Sequence, residues 1–373
     1  MAKLPQNVRK LNNGLYEKRF TLNNKRYSVY AKTIKELQEK EYKKRQDILE
    51  KGYIKNDNIT LNKYFKEFIE NKTRYVKENT IYTYKSIYNK YIKDSLGKKK
   101  IKEIEKREIE KLQKDLLKQN KSITTVNYII MVISQILNSA IADDIIIKNN
   151  AKLIKNIKNT SKKANETIHR ALTEREQELF MNELKTSNNY YYEFFAFLIS
   201  SGLRFGECAA LSWSDVDYKN NVIHINKTIT QNASGKKVVG EPKTRTSKRD
   251  IPLTSNLKAI LKAQKEKATM INVINITNNV FTSIYGKVLV NQTINKEIDK
   301  TIQAINEKGY KINKITCHAL RDTFATRFIE QGGTPQTLKS ILGHTSLQMT
   351  MDLYAQVLPN TKEKEMSNIN IVI

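Results

Sequence analysis

Residues 221–253 read NVIHINKTITQNASGKKVVGEPKTRTSKRDIPL, and this stretch decides the fold class. NVIHINKTI (221–229) and the segments around KKVVG and RDIPL (236–253) are short and β-branched-rich, the composition of strands. They follow a region of opposite character. No glycine or proline occurs between Gly97 and Gly202, which permits long helices and argues against a turn-rich β fold there. After the strands, helices are expected at 254–268, 291–307, 318–331 and 335–342, the last with Thr334 as cap and Pro335 as first residue. The C-terminal half is therefore mixed α and β.

Toward the N-terminus, the polar NTSKKANE at 159–166 reads as a linker, and Thr173 with Glu176 forms a capping box that opens the next helix. Residues 59–160 read as a helical bundle. Leu61, Tyr64, Phe65, Phe68 and Ile69 make one apolar stripe behind the N-cap Thr60. Ile81, Tyr84, Tyr88, Tyr91 and Ile92 make a second, Ile109, Leu112 and Leu116 a third, and Val126, Ile129, Ile133, Ile136, Leu137 and Ala140 a fourth. Tyrosines on such stripes belong to the core rather than to stacked bases. Residues 14–31 carry two aromatic strand-like segments around Asn23-Asn24-Lys25, a hairpin turn. Tyr16, Phe20 and Leu22 share one face and Arg19 the other, and a helix runs from Thr33 to Gly52.

The expected architecture is multidomain and mainly α. It has a small sheet-plus-helix domain at 1–58, a helical domain at 59–160, a linker at 161–167, an α+β domain at 168–358 and a tail at 359–373.

The chain has 373 residues with 66 Lys and Arg against 38 Asp and Glu, a formal charge of +28. Residues 1–58 carry 15 basic and 7 acidic side chains, 59–167 carry 24 and 12, and the remainder 27 and 19. Three basic segments imply that every domain touches phosphate, although solvated lysines from an AT-rich genome account for part of the excess. No run approaches 18 apolar residues, and the first thirty residues hold no apolar signal core. Cys208 and Cys317 are too few for a disulfide framework or a four-ligand zinc site. A soluble, cytoplasmic protein with a nucleic-acid partner and no membrane association is expected.

No G-x-x-x-x-G-K-[ST] loop and no G-x-G-x-x-G is present, and no carboxylate trio suggests a two-metal nuclease, so neither cofactor nor metal is expected. Three cation- and imidazole-rich segments stand out instead. They are SSGLRFGECAALSWSDVD (200–217) with Arg204, CHALRDTFATRF (317–328) with His318 and Arg321 on one helical face, and LGHTSLQMTMDLYAQV (342–357) with His344 and Tyr354. Singly, each has an ordinary structural explanation. Together, in this order, they make a strong signal.

These segments resemble the boxes of the tyrosine recombinases of the phage and conjugative-transposon integrase type: G-L-R-x-G-E, H-x-L-R and L-G-H followed by a tyrosine. EPKTRTSKRDIPL resembles the family's β-hairpin with its catalytic lysine, which places that role on Lys243, with Lys236, Lys237, Arg245 and Lys248 as competitors. Asp322 departs from the pattern, since many relatives carry a second histidine there. The resemblance implies that Arg204 and Arg321 hold the phosphate and that Tyr354 attacks phosphorus. His318 assists proton transfer, His344 donates a hydrogen bond to the phosphate and Lys243 protonates the leaving 5′-oxygen. Glu207 reads as a structural partner of a nearby cation, and Trp213 as core.

The same resemblance implies an integrase that cuts and rejoins double-stranded DNA at attachment sites through a 3′-phosphotyrosyl intermediate, moving a mobile element. It implies a C-shaped clamp, an N-terminal arm-binding domain, a helical core-binding domain and a homo-tetramer on DNA. An excisionase, a host DNA-bending protein and a bacterial nucleoid setting go with it. Arg19, Arg26, Lys98, Lys99 and Lys100 are the candidate DNA contacts. The tail at 367–373 alternates polar and apolar residues and is expected to dock on a neighbouring subunit. The alternatives are a Xer-like resolvase, which lacks the N-terminal domain, a non-catalytic regulator on the same scaffold, and a type IB topoisomerase.

Overall fold

The structure, a computed structural model, describes residues 5–11, 14–22, 25–51, 58–158, 170–242, 245–270 and 278–357. Two compact units divide the chain, Met1–Thr160 and Ser161–Ile373. The expected linker at 161–167, the turn residues Asn23 and Asn24, Lys243 and the tail at 359–373 lie outside the described residues.

The first unit opens with an antiparallel sheet of β1 (Val8–Lys10), β2 (Tyr16–Leu22) and β3 (Lys25–Ala31) in sequence order. Helix α1 (Ile34–Lys51) follows and sends Leu37 into a small core with Phe20, Val29 and Ala31. Tyr16 and Leu22 pack on that core, as strand alternation requires. The opposite face carries Arg9, Glu17, Arg19, Arg26, Ser28 and Tyr30.

The remainder of this unit holds α2 (Leu61–Lys72), α3 (Glu78–Ile87), α4 (Lys106–Lys118) and α5 (Ile123–Ala142). The residues of the four expected stripes are buried except Tyr84 and Tyr91, which are half-buried, and the Thr60 hydroxyl accepts from Lys63 N. One element differs from expectation. The α-helical ladder stops at Ile87, and Tyr88–Ile92 form a π-turn in which Lys93 N reaches Tyr88 O at 2.8 Å. The Tyr88 ring lies flat on Phe65 at 3.6 Å, and its hydroxyl donates to Asn62 Oδ1 at 2.8 Å. The wider turn keeps that stacked ring and Ile92 buried together. Helix α5 has no charged residue and is long and apolar enough by composition to cross a membrane, which no run of strictly apolar residues had suggested. Here it is the centre of the bundle, with eight residues buried.

The second unit begins with α6 (Glu174–Thr186), capped reciprocally by Thr173 and Glu176 as expected. It continues through α7 (Tyr192–Ser201), α8 (Phe205–Ala210), β4 (Val216–Asp217), β5 (Val222–Ile225), β6 (Thr228–Gln231), β7 (Lys237–Gly240) and β8 (Arg249–Pro252). Helices α9 (Ser255–Met270), α10 (Asn291–Glu307), α11 (Cys317–Glu330), α12 (Pro335–Leu342) and α13 (Leu347–Val357) complete it. The run read as one strand at 221–229 is broken in two. β5 pairs with β4 and β8, whereas among the described residues β6 pairs only with β7. Lys227 sits at the break, held by Ser212 Oγ and Asp215 Oδ2, each at 2.8 Å. The core gathers Phe180, Phe194, Phe195, Phe197 and Phe281 with aliphatic residues of α9 and α10, the rings meeting largely edge to face. Trp213 packs against this core.

Candidate active site

Two glycine-terminated helices build the site. Helix α7 ends on Gly202 at φ +63°, where a Cβ would lie 2.3 Å from Phe324 Cδ1. The tight exit places Arg204 at the start of α8, and Glu207 bonds back to the Arg204 backbone N at 3.0 Å. Helix α12 ends on Gly343 at φ +66°, which turns the chain toward His344.

The last carbonyls of α12 have no partner within the helix, and three arginines fill that need. Arg249 Nε donates to Ile341 O at 2.5 Å and Arg321 Nη2 to Leu342 O at 2.8 Å. Arg204 donates to Leu342 O and Gly343 O, each at 3.3 Å. Arg321 also donates to Gly202 O at 2.7 Å, which joins the two glycine turns. The negative end of a helix dipole thus faces a triple cation.

Glu207 ties the cluster together and is 4 % exposed. Its Oε1 accepts from Arg204 Nη1 at 2.8 Å, and Arg249 donates to both carboxylate oxygens, at 3.2 and 3.0 Å. Burial pushes this carboxyl up, but Arg249 and Arg204 outweigh it and hold the group below its ordinary range. Burial, with Arg204 beside it, lowers Arg321 to about 9, so it remains charged at neutral pH. Burial and then the Arg321, Arg204 and Arg249 charges lower His344 to about 4, so its ring is neutral at pH 7. His344 Nδ1 lies 2.9 Å from Thr350 Oγ1. Donation from Nε2 requires the tautomer in which the Thr350 hydroxyl donates to Nδ1.

Arg204, His318, Arg321 and His344 line one cleft of about 1080 Å³, together with Asp322, Asp352 and Leu353. His318 Nε2 is 3.9 Å from Asp322 Oδ1. Two guanidiniums and two imidazoles therefore converge where an anionic, tetrahedral or trigonal-bipyramidal group fits.

The other predicted residues are placed differently. Tyr354 is half-buried and packs on Ala325, Ile329, Leu338 and Leu342, while the cleft wall from α13 is formed by Met349, Asp352, Leu353 and Val357. Lys243 lies outside the described residues; Lys236 immediately precedes β7 and Lys237 opens it, and Lys248 pairs with Glu241 at 2.9 Å. Arg19 and Arg26 are exposed on the outer face of the N-terminal sheet. Lys98 is exposed, Lys99 bonds Glu108, and Lys100 lies 3.8 Å from Glu103.

Sequence reasoning missed Arg249. The signal was present: alternation in RDIPL puts Arg249 on the same face as buried Ile251 and Leu253, where a charge needs a partner. It also missed a groove of about 560 Å³ in the bundle, lined by Lys66, Lys85 and Lys93 beside Tyr88.

The chain is similar to several known proteins. Residues 170–361 match the phage integrase family, and 60–117 match the phage integrase N-terminal SAM-like domain. The ICEBs1 integrase of Bacillus subtilis (strain 168) is 28 % identical over 97 % of this chain and 98 % of its own length. A protein named tyrosine recombinase XerC-like, from Caldanaerobacter subterraneus, is 26 % identical over 92 % of this chain and 91 % of its own. Among solved structures, the Tn1549 transposon integrase in complex with transposon right end DNA superposes with a TM-score of 0.68 at 22 % identity, covering 83 % of this chain and 99 % of that one. A lambda integrase dimer bound to a COC′ core site gives 0.60 at 18 %, covering 95 % and 96 %.

Proposed function

The chain belongs to the phage integrase family and is an enzyme of the tyrosine-recombinase type; on that premise we propose that it cuts and rejoins double-stranded DNA at attachment sites to integrate and excise a mobile element. The observation that supports this most is the convergence of Arg204, Arg321, His318 and His344 on one cleft. In this reading the two guanidiniums hold the non-bridging oxygens of the scissile phosphate, and neutral His344 donates from Nε2. The Tyr354 oxygen attacks phosphorus and its proton passes toward His318. The bond to the 5′-oxygen breaks, and that oxygen takes a proton from Lys243. A 5′-hydroxyl then reverses the step, so rejoining needs no nucleotide. Attack requires Tyr354 to leave its apolar cluster for the cleft.

The domain division expected from the sequence belongs to the same reading. Residues 1–58 bind arm-type sites, 59–160 the core site, 168–358 act on the phosphate, and 161–167 connect them. Arg19, Arg26, Lys98, Lys99 and Lys100 contact DNA, with Lys99 exchanging Glu108 for phosphate. The protein works as a homo-tetramer in a bacterial cytoplasm, at the nucleoid, with an excisionase and a host DNA-bending protein, and residues 367–373 dock on a neighbouring subunit. A resolvase acting on like sites is the second reading. It is favoured by the XerC-like relative, whose match takes in 92 % of this chain and 91 % of its own length.

The test is Tyr354→Phe on a nicked suicide substrate bearing one attachment half-site. The variant should bind as the parent does yet give no covalent protein–DNA band on a denaturing gel. A band from the variant would place the nucleophile elsewhere. Recombination between two unlike sites separates integrase from resolvase.

A further inference from the structure

Of the 66 basic residues in this chain only 13 are arginine. Three of those, Arg9, Arg19 and Arg26, stand on the outward face of the N-terminal sheet, where strand alternation places no lysine. Lysine meets an acceptor as a point charge, whereas arginine presents a rigid planar fork that matches two acceptors side by side, so arginine here points to a use for that fork.

The centre of that face is Glu17. It lies opposite Arg9 on β1 and opposite Tyr30 on β3. Although it is on the outer surface, its side chain is 2 % exposed, because its neighbours close over it. Arg9 Nε donates to Oε2, Arg19 Nε donates to Oε1 at 3.0 Å, and Tyr30 Oη donates to Oε1 at 3.1 Å. Arg19 first, then Arg9 and Tyr30, hold its carboxyl down to about 2, so it stays ionised at any working pH.

A carboxylate in the middle of a face turned toward DNA repels phosphate, so it requires a compensating task. The geometry supplies one. Both arginines are engaged through the inner nitrogen, and their side chains remain 58 % and 59 % exposed. Their terminal nitrogens have no protein partner among the described residues. A guanidinium fixed at Nε presents Nη1 and Nη2 end-on, the pair that matches O6 and N7 of guanine. A two-stranded β-ribbon is narrow enough to enter the major groove, where that edge lies, and the paired β1 and β2 carry both arginines.

We propose that this face reads guanine on the major-groove edge of DNA through Arg9 and Arg19, and that Glu17 is the positioning residue that aims them both. The proposal rests on the assignment of residues 1–58 to DNA and deepens it. Arg26, opposite Thr21 at the end of the sheet, has no such anchor among the described residues and serves the DNA backbone. Because both guanidiniums converge on one carboxylate, they read neighbouring base pairs rather than separate half-sites.

The experiment uses the full chain and a randomised duplex library at near-physiological salt. Selected duplexes are remade with 7-deazaguanine, which lacks N7, or with inosine, which keeps N7 and O6. 7-Deazaguanine at the read positions should weaken binding about tenfold, and inosine should not. Glu17→Gln should lose that guanine discrimination while retaining its affinity for scrambled DNA, its salt dependence and its cleavage of the crossover site. A selected site indifferent to 7-deazaguanine overturns the proposal even if the variant misfolds, and so does a Glu17→Gln protein with unchanged preference. The combined variant Arg9→Ala, Arg19→Ala, Arg26→Ala separates the levels. If it selects and binds as the parent does, the assignment of this segment to DNA fails as well. If it weakens binding to every sequence equally, the segment touches DNA by charge alone and only the guanine reading is lost.

Discussion

Glu17 and Glu207 are the same device in two places: a carboxylate almost wholly covered, shared by two arginines. They differ in what the arginines have beyond the carboxylate. At Glu207 the guanidiniums run on into backbone carbonyls of α12, and Arg249 is itself 6 % exposed. At Glu17 they run on into solvent. The first arrangement fixes charge inside a fold, and the second displays it. An ion pair in water contributes about 0–1 kcal/mol, whereas removing one partner from a buried pair costs about 3–5 kcal/mol because a charge is left without its counter-ion. The two glutamates should therefore part company under mutation.

The largest effect is expected from Arg249→Met. It strands Glu207 beside a single arginine and leaves the Ile341 carbonyl uncapped. Denaturant unfolding of the full chain should show the second unit destabilised by about 3–5 kcal/mol. Cleavage of a suicide substrate should fall on the order of 10²-fold or more, because Glu207, no longer held by Arg249, ceases to fix Arg204. Glu17→Gln should leave both measurements close to the parent. An equal loss of stability from the two variants would break the comparison.

A smaller effect distinguishes the two regions by pH, through His344 in one and Glu17 in the other. His344 has its folded value depressed to about 4 from an ordinary 6.5, so the unfolded chain takes up the proton first as pH falls. The stability linked to His344 is full above about pH 6.5 and is lost as pH drops from there toward 4. Glu17 is depressed to about 2 from 4.5, so its contribution is full above about 4.5 and is lost only as pH falls toward 2. Unfolding midpoints measured from pH 7 to pH 4 should slope downward in the parent and flatten in His344→Gln. Glu17→Gln should keep the parent slope through most of that range.

The smallest expected effect is at Gly343→Ala. The residue sits at φ +66°, and a Cβ would lie 3.1 Å from both Arg249 Nη1 and Thr246 O. A cost of about 1–2 kcal/mol is expected from the backbone alone, with a modest loss of cleavage as Arg249 is nudged. Full stability in the alanine variant would show that the turn relaxes without disturbing the arginines.

Much of this was legible in the sequence, and for identifiable reasons. Helix α12 declares itself through Thr334 and Pro335, and α6 through Thr173 and Glu176, because both signals are local. The boxes around Arg204, His318, Arg321 and His344 are local too, and they meet in one cleft. What escaped depends on partners far along the chain. The split between β5 and β6 follows from Lys227 finding Asp215, and the π-turn at Tyr88 from a ring stacked on Phe65. Arg249 is 42 residues from Glu207 and 92 from Ile341, so only the folded chain shows that it belongs to the site. The packing of Tyr354 on α11 and α12 was equally invisible, since an i, i+3 pattern does not say which of two nearby surfaces a helix presents.

The arginine-capped end of α12 can be read as an inventory of hydrogens. A guanidinium carries five N–H groups and an ammonium three. Among the described residues, Arg321 spends two of its five on Gly202 and Leu342, which leaves three for a ligand. Arg204 spends three, on Glu207, Leu342 and Gly343, and keeps two. Arg249 spends four and has one left, which is why it supports rather than grips. A lysine at position 321 would have a single donor to offer once the two carbonyls were served, and at position 204 none. A chain that favours lysine almost everywhere else therefore had no room for it here, because the protein consumes the first two or three donors before any substrate arrives.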